Sequence, residues 1–164
     1  MYSSYQTKNQ YIEKIIEKYA DMVYRLALSR TRDIDFSQEV FQEVFYRLSK
    51  KLPDFKSEEH EKAWLIRVTI NCSKTLLNSK WNTKVQVLED EICVEEPEIK
   101  EVYQEVLALP KKYRTVIHLY YYEDLTVKEI ANILKTKENT VKTWLARARN
   151  KLKNRLEGGF EDDK

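Results

Sequence analysis

The sequence predicts an all-α protein made of two small helical domains joined by an acidic linker. Three observations carry this. Only 2 glycines and 3 prolines occur in 164 residues, too few for the turns of a β-sandwich or barrel. Apolar residues recur at three- and four-residue steps through most of the chain, the period of an amphipathic helix. The charge is also unevenly distributed. Residues 1–82 carry a balance of +3, residues 83–98 of −5, residues 99–157 of +6 and residues 158–164 of −2, within a net charge of +2. Two basic blocks around an acidic segment describe two modules that meet a polyanion and a linker that avoids it.

The first helix is expected over 11–28, where Ile12, Ile15, Ile16, Tyr19, Met22, Val23, Leu26 and Ala27 form one stripe. Asp35 and Gln38 then form a candidate capping box. It opens a helix over about 36–51 that buries Phe36, Val40, Phe41, Val44, Phe45 and Leu48 and stops before Pro53. A third helix is expected from near Ser57 to about Trp81, with Glu58, Glu59 and Glu61 where the helix dipole favours acids. Its core face reads Trp64, Leu65, Val68, Cys72 and Leu76. These three helices make domain 1–82.

Residues 83–97 lose periodicity, gather Glu89, Asp90, Glu91, Glu95 and Glu96, and read as the linker. Domain 98–157 follows, and 158–164 form a tail. Its helices are expected over 98–108 (Ile99, Val102, Val106 and Leu107 inward), 111–123, 126–134 and 138–156.

The strongest local signal lies in the last two helices. Thr126 and Glu129 form a T-x-x-E capping box. Ile130, Ala131 and Leu134 face inward, and small Ala131 admits a closely crossing second helix whose inner face is Val141, Leu145 and Ala148. Two such helices and a three- or four-residue turn describe a helix-turn-helix, whose second helix fits the DNA major groove. Asn139, Thr140, Lys142, Thr143 and Arg147 project from its outer side, and Arg149, Lys151, Lys153 and Arg155 extend a basic ridge. Those side chains reach base edges and phosphates. A solvated basic helix at the end of a bundle is the plainer alternative. Lys135 and Asn139 stand where such turns often carry glycine.

Residues 105–156, from Leu109-Pro110 and Tyr113-Arg114 to Thr140-Val141-Lys142 and Ala146-Arg147-Ala148-Arg149, resemble the C-terminal region of bacterial sigma factors of the small extracytoplasmic-function class. The N-terminal half agrees. Gln42-Glu43-Val44-Phe45-Tyr46-Arg47-Leu48 resembles that family's core-polymerase-binding helix. Phe55, with Ala63-Trp64-Leu65-Ile66-Arg67-Val68-Thr69-Ile70-Asn71, resembles its promoter-melting segment. The likeness spans about residues 10–156. Two departures stand out: Ser37-Gln38-Glu39 where the family commonly has an Asp-rich step, and Lys74, Lys80 and Lys84 in place of an Arg cluster.

The resemblance implies a stress-response sigma factor that binds core RNA polymerase through Glu39, Gln42, Phe45 and Tyr46. The opened −10 strand would meet Phe55, Lys56, Arg67, Asn71, Lys74 and Asn78, and the −35 element Asn139, Thr140, Lys142, Thr143, Arg147 and Lys151. Read from spacing alone, Arg67, Asn71, Lys74 and Asn78 form a polar stripe, while Phe55 fits a core ring and Asn71 a solvated residue. The resemblance implies a base contact for Asn71 and leaves Phe55 between core and base-stacking. It also implies an anti-sigma factor, in this family often membrane-anchored, as a controlling partner.

No enzyme is expected. His60 and His118 form no metal-ligand pattern with Cys72 or Cys93, the two glycines sit together at 158–159, and no nucleophilic triad is motivated. Hence no cofactor, metal or small-molecule substrate is expected. The residues 1–8 lack an apolar signal core and no run approaches a membrane span, so the expected compartment is the cytoplasm. A stand-alone helix-turn-helix regulator and a scaffold that docks an acidic protein are the rival readings.

Overall fold

The computed structural model describes residues 2–81 and 97–158. Residue contacts divide the chain into two units, Met1–Leu88 and Glu89–Lys164. The described residues contain helices and turns and no strand. The expected linker, apart from Pro97, lies outside them.

The first unit contains α1 (Tyr2–Thr31), α2 (Ile34–Lys50) and α3 (Glu58–Trp81). Each helix packs on the other two. Val23, Leu26, Ala27, Val44, Leu48, Leu65 and Ile66 are fully enclosed, each large side chain contributing about 1.5–3 kcal/mol through burial. α1 starts well before residue 11 because Tyr2–Gln10 contains no Gly or Pro to oppose helix extension.

The α1–α2 corner departs from the expected capping box. The N-cap is Asp33, not Asp35: its side chain accepts from the Phe36 amide at 2.9 Å. Arg32 takes φ 59° to make the turn. The Thr31 and Ser37 hydroxyls meet at 2.8 Å in the interior, and Ser37 also reaches the Asp33 carbonyl. That buried polar pair fixes the corner two residues earlier than Asp35 would.

The expected core face of α3 holds at Leu65 and Cys72 and shifts at its other positions. Leu65, Ile66, Thr69, Ile70, Cys72 and Ser73 are buried, while Trp64, Val68 and Leu76 are only partly covered. Thr69 and Ser73 are tolerated inside because their hydroxyls donate to the Leu65 and Ile70 carbonyls at 2.7 Å. The buried Arg30 of α1 then donates through Nε to Ser73 Oγ at 3.2 Å, and burial lowers its pKa to about 10. Tyr11 donates to Glu61 at 2.8 Å. Burial, then the Glu61 hydrogen bond, raises its pKa to about 12, so this α1–α3 tie holds at neutral pH and weakens as pH rises from 10 through 12.

The second unit contains α4 (Pro97–Leu107), α5 (Lys111–Ile117), a π-helical turn (His118–Tyr122), α6 (Val127–Leu134) and α7 (Glu138–Gly158). Pro97 occupies the first helical position, where its missing N–H costs nothing. Val102, expected inward, is exposed, and Tyr103 is buried in its stead. The single expected helix 111–123 is interrupted by the π turn. His118 Nε2 lies 3.2 Å from Glu123 Oε1 within the interior, and the ring of Tyr122 stacks on His118. The turn leaves Tyr121 and Tyr122 at the surface.

Thr126 caps α6, its hydroxyl accepting from the Glu129 amide at 3.1 Å and meeting the Glu129 carboxylate at 2.9 Å. Thr126→Ala should therefore cost about 1 kcal/mol, read as a lower urea midpoint with an unchanged slope. At the other end Lys135 adopts the left-handed conformation, φ 53°, and the Thr136 amide closes on the Ala131 carbonyl at 3.0 Å. This is a Schellman-type closure with lysine at the position glycine usually fills.

Candidate nucleic-acid interface

In the second unit, three residues separate α6 from α7, within the turn length of a helix-turn-helix. Ile130, Ala131, Val141, Leu145 and Ala148 are all buried between these helices and α5. Leu134 is partly covered and Ile133 takes its inward place. With that seam closed, the opposite side of α7 is free. Asn139, Thr143, Arg147 and Lys151 are exposed and follow one another at four-residue steps; Lys142 is exposed beside Thr143. Thr140 is half-buried. The Thr143 hydroxyl donates to the Asn139 carbonyl at 2.9 Å, leaving its oxygen as an acceptor.

The basic ridge is divided in its use. Arg149 Nε donates to the Tyr121 hydroxyl at 2.6 Å, and its guanidinium lies 5.5 Å from the ring centres of Tyr120 and Tyr121. Arg155 pairs with Glu105 of α4 at 2.5 Å. These two arginines hold α7 against its own unit. Lys151 lies 6.0 Å from the Tyr113 ring and remains exposed.

In the first unit, Arg67, Asn71, Lys74 and Asn78 are all exposed along α3. The Arg30–Ser73 bond and the buried Thr69 on the other face set that orientation. Phe55 is half-buried: it packs edge-on against Trp64 at 5.8 Å and His60 at 5.5 Å. Its loop is ordered by the Lys56 amide donating to His60 Nδ1 at 3.2 Å and the His60 amide to Ser57 Oγ at 3.1 Å. The Lys56 ammonium pairs with the Asp54 carboxylate.

The residues expected to meet polymerase do not share one surface. Glu39, Gln42 and Tyr46 are exposed, but Phe45 is 8% exposed and packs on Phe41 at 4.8 Å. Phe45 supports α2 from within and presents no ring to a partner. Gln42 belongs to a shallow groove of about 450 Å³ with Ala20, Asp21, Tyr24, Gln38 and Phe41. The α1 side of that groove had no sequence signal, because Tyr24 and Asp21 lie beside the apolar stripe rather than in a motif. Among the described residues no cluster of His, Cys, Asp and Glu is arranged to hold a metal ion, and no helix is long and apolar enough to cross a membrane.

Two separate helical units, one with a helix-turn-helix and one with an exposed polar stripe, define a bipartite DNA-interacting factor. Comparison with known families makes this specific. Residues 15–83 match the model of sigma-70 region 2, and residues 99–152 match that of sigma-70 region 4. The ECF RNA polymerase sigma factor SigM of Bacillus subtilis is 31% identical over 163 residues, covering 93% of this chain and 99% of the relative. SigW of the same organism is 27% identical over 162 residues, covering 87% of each. The sigma factor RpoE of Bartonella quintana, solved in complex with the anti-sigma factor NepR, shares the fold with a TM-score of 0.78. It is 17% identical, with 88% of this chain and 96% of that chain covered. The chain belongs to the extracytoplasmic-function class of the sigma-70 family. It is an alternative sigma factor for promoter-specific transcription initiation.

Proposed function

We propose that the chain divides its work between its two units: the first docks core RNA polymerase and holds the opened −10 strand, and the second reads the −35 element. The observation that carries this is the exposed stripe Arg67, Asn71, Lys74 and Asn78 on α3. Asparagine pairs with a base edge, and the cations hold flanking phosphates. Partly shielded Phe55 borders the same strand through its loop. Polymerase docks on the α1–α2 groove around Gln42, together with the exposed Glu39 of α2. Strand opening then draws on polymerase binding and captured bases, with no covalent chemistry by this chain. The factor acts in the cytoplasm, under an anti-sigma partner of the kind the Bartonella protein has in NepR.

In the second unit, the first turns of α7 point into the major groove, so Asn139, Lys142 and Thr143 meet bases, while Arg147 and Lys151 meet phosphates further along. Lys142→Ala should change the ranking of −35 duplexes, at about 1–3 kcal/mol per lost base contact. Lys151→Gln should weaken all duplexes alike and reduce the salt slope by about 1. Holoenzyme binding to variant −35 duplexes at several salt concentrations separates the two. An unchanged ranking with Lys142→Ala would rotate α7 in the groove.

Docking is tested by replacing Glu39 with Lys and Gln42 with Ala together. Co-purification with core polymerase should be lost while helicity is unchanged. Retained co-purification would move the docking surface off the α1–α2 groove.

A further inference from the structure

α5 opens on Lys111 and Lys112, both exposed, and its first turn carries no acid. The helix dipole disfavours cations at that end, so local helix stability does not account for the pair. The Lys112 ammonium lies 5.2 Å from the centre of the Tyr113 ring and 5.8 Å from that of Trp144 on α7. The Lys151 ammonium of α7 lies 6.0 Å from the same Tyr113 ring. Two ammoniums from two helices thus share one ring, and among the described residues neither is paired with a carboxylate. Like charges gathered in this way repel each other until an anion joins them.

The place of the cluster on α7 says which anion. Thr140, Trp144 and Lys151 follow at four- and seven-residue steps and form one flank of the helix. That flank adjoins the line of Asn139, Thr143 and Arg147, each position lying one residue from a member of that line or of the flank. Beside the base-reading face of a groove-bound helix runs the sugar–phosphate backbone. Lys112 reaches this rim from a different helix. Its two rings are held in the fold, Tyr113 buried and Trp144 half-buried.

We infer that Lys112 is a positioning residue for −35 recognition: with Lys151 it holds one backbone phosphate of the duplex at the Trp144 flank and so sets the rotation of α7 in the major groove. The inference rests on the reading of α7 as the groove-bound helix and adds an anchor from outside the helix-turn-helix. Tyr113 and Trp144 keep the ammonium in place by cation–π attraction, so capture of the phosphate costs little further ordering of the lysine chain. The anchored phosphate carries no sequence information itself. It fixes the register at which Asn139 and Thr143 meet their bases.

The test uses the full chain assembled with core RNA polymerase. The probe is a −35 duplex, selected from a random pool for binding, in which each phosphate in turn is replaced by an uncharged methylphosphonate. One position should cost the parent chain about threefold to fivefold in affinity and cost Lys112→Gln nothing. Lys151→Gln should reduce the penalty at that same position. Lys112→Gln should also lower the salt slope by about 1, with the thermal midpoint unchanged. Lys112→Arg should restore both the penalty and the slope, because a guanidinium stacks on aromatic rings as well. If no phosphate responds to Lys112→Gln while Lys142→Ala still changes the ranking of −35 duplexes, the anchor is refuted and the reading of α7 stands. An equal loss with Lys112→Gln whichever phosphate is neutralised means that the residue only braces α5 on α7, and the inference fails. Release from polymerase would fail it as well, by making Lys112 a docking residue. A phosphate coupled to Lys112, with the ranking unmoved by Lys142→Ala, would keep the anchor and rotate α7 about it. Should neither response be found, both the anchor and the reading of α7 are overturned.

Discussion

Leu145→Ala should lower the stability of the second unit by about 2–5 kcal/mol, because the side chain is 2% exposed where α7 packs on α5 and α6. For a domain of this size each kcal/mol moves the thermal midpoint by about 4–8 °C. A helical unit of so few residues has little stability in reserve. Far-UV circular dichroism should show part of the helical signal melting early, and every −35 duplex should be bound more weakly in parallel. The variant leaves Asn139, Lys142, Thr143 and Arg147 in place, so sequence preference should survive wherever binding is still measurable. A loss below about 1 kcal/mol would mean that α5 and α6 collapse onto the cavity, and the seam would not be what positions α7.

Asn71→Ala should behave in the opposite manner. The residue is exposed, so its truncation opens no cavity and the unfolding free energy should stay within about 0.5 kcal/mol of the parent. The cost should appear only with DNA, at about 1–3 kcal/mol, and should depend on which base occupies one −10 position. Holoenzyme binding to forked templates carrying each base at each position checks this. Equal losses at all positions would make Asn71 a strand-positioning residue that reads nothing.

The contrast between these two residues mirrors what was legible in the sequence. Leu145 sits in a 3.6-residue pattern with Val141 and Ala148, and all three are buried as that pattern requires. Hydrophobic periodicity reports one face of a helix well when the face is wholly apolar. It held only in part on α3, where Leu65 and Cys72 are buried as expected but Thr69 and Ser73 also lie inside and Trp64 is only partly covered. Hydroxyls that bond their own helix carbonyls pass as core residues, and no apolar count detects them. The Asp33 cap was missed for a related reason, since Thr31 and Ser37 set the corner through a buried contact across six residues. The π turn at His118–Tyr122 has no sequence signature of its own; it follows from the local His118–Glu123 pairing and the packing around it.

The candidate site was partly legible. Exposed positions on α7 and α3 followed from the opposite apolar faces, so Asn139, Lys142, Thr143, Arg147, Arg67, Asn71, Lys74 and Asn78 all lie at the surface. Charge alone did not reveal which cations are occupied elsewhere. Arg149 and Arg155 look the same as Arg147 in the sequence, yet one bonds Tyr121 and the other Glu105. Phe45 and Tyr46 are neighbours in one motif, and a step of one residue on a helix sends the first inward and the second into a cleft between α2 and α3.

The most direct measurement of the whole account is transcription reconstituted from the purified full chain, core RNA polymerase and a library of promoter fragments. The account predicts discrete transcripts that require the chain, are lost from one subset of −10 sequences with Asn71→Ala, and are redistributed among −35 sequences with Lys142→Ala. Start sites that appear without the chain, or transcripts unaffected by both variants while the chain binds duplex DNA by itself, would contradict it.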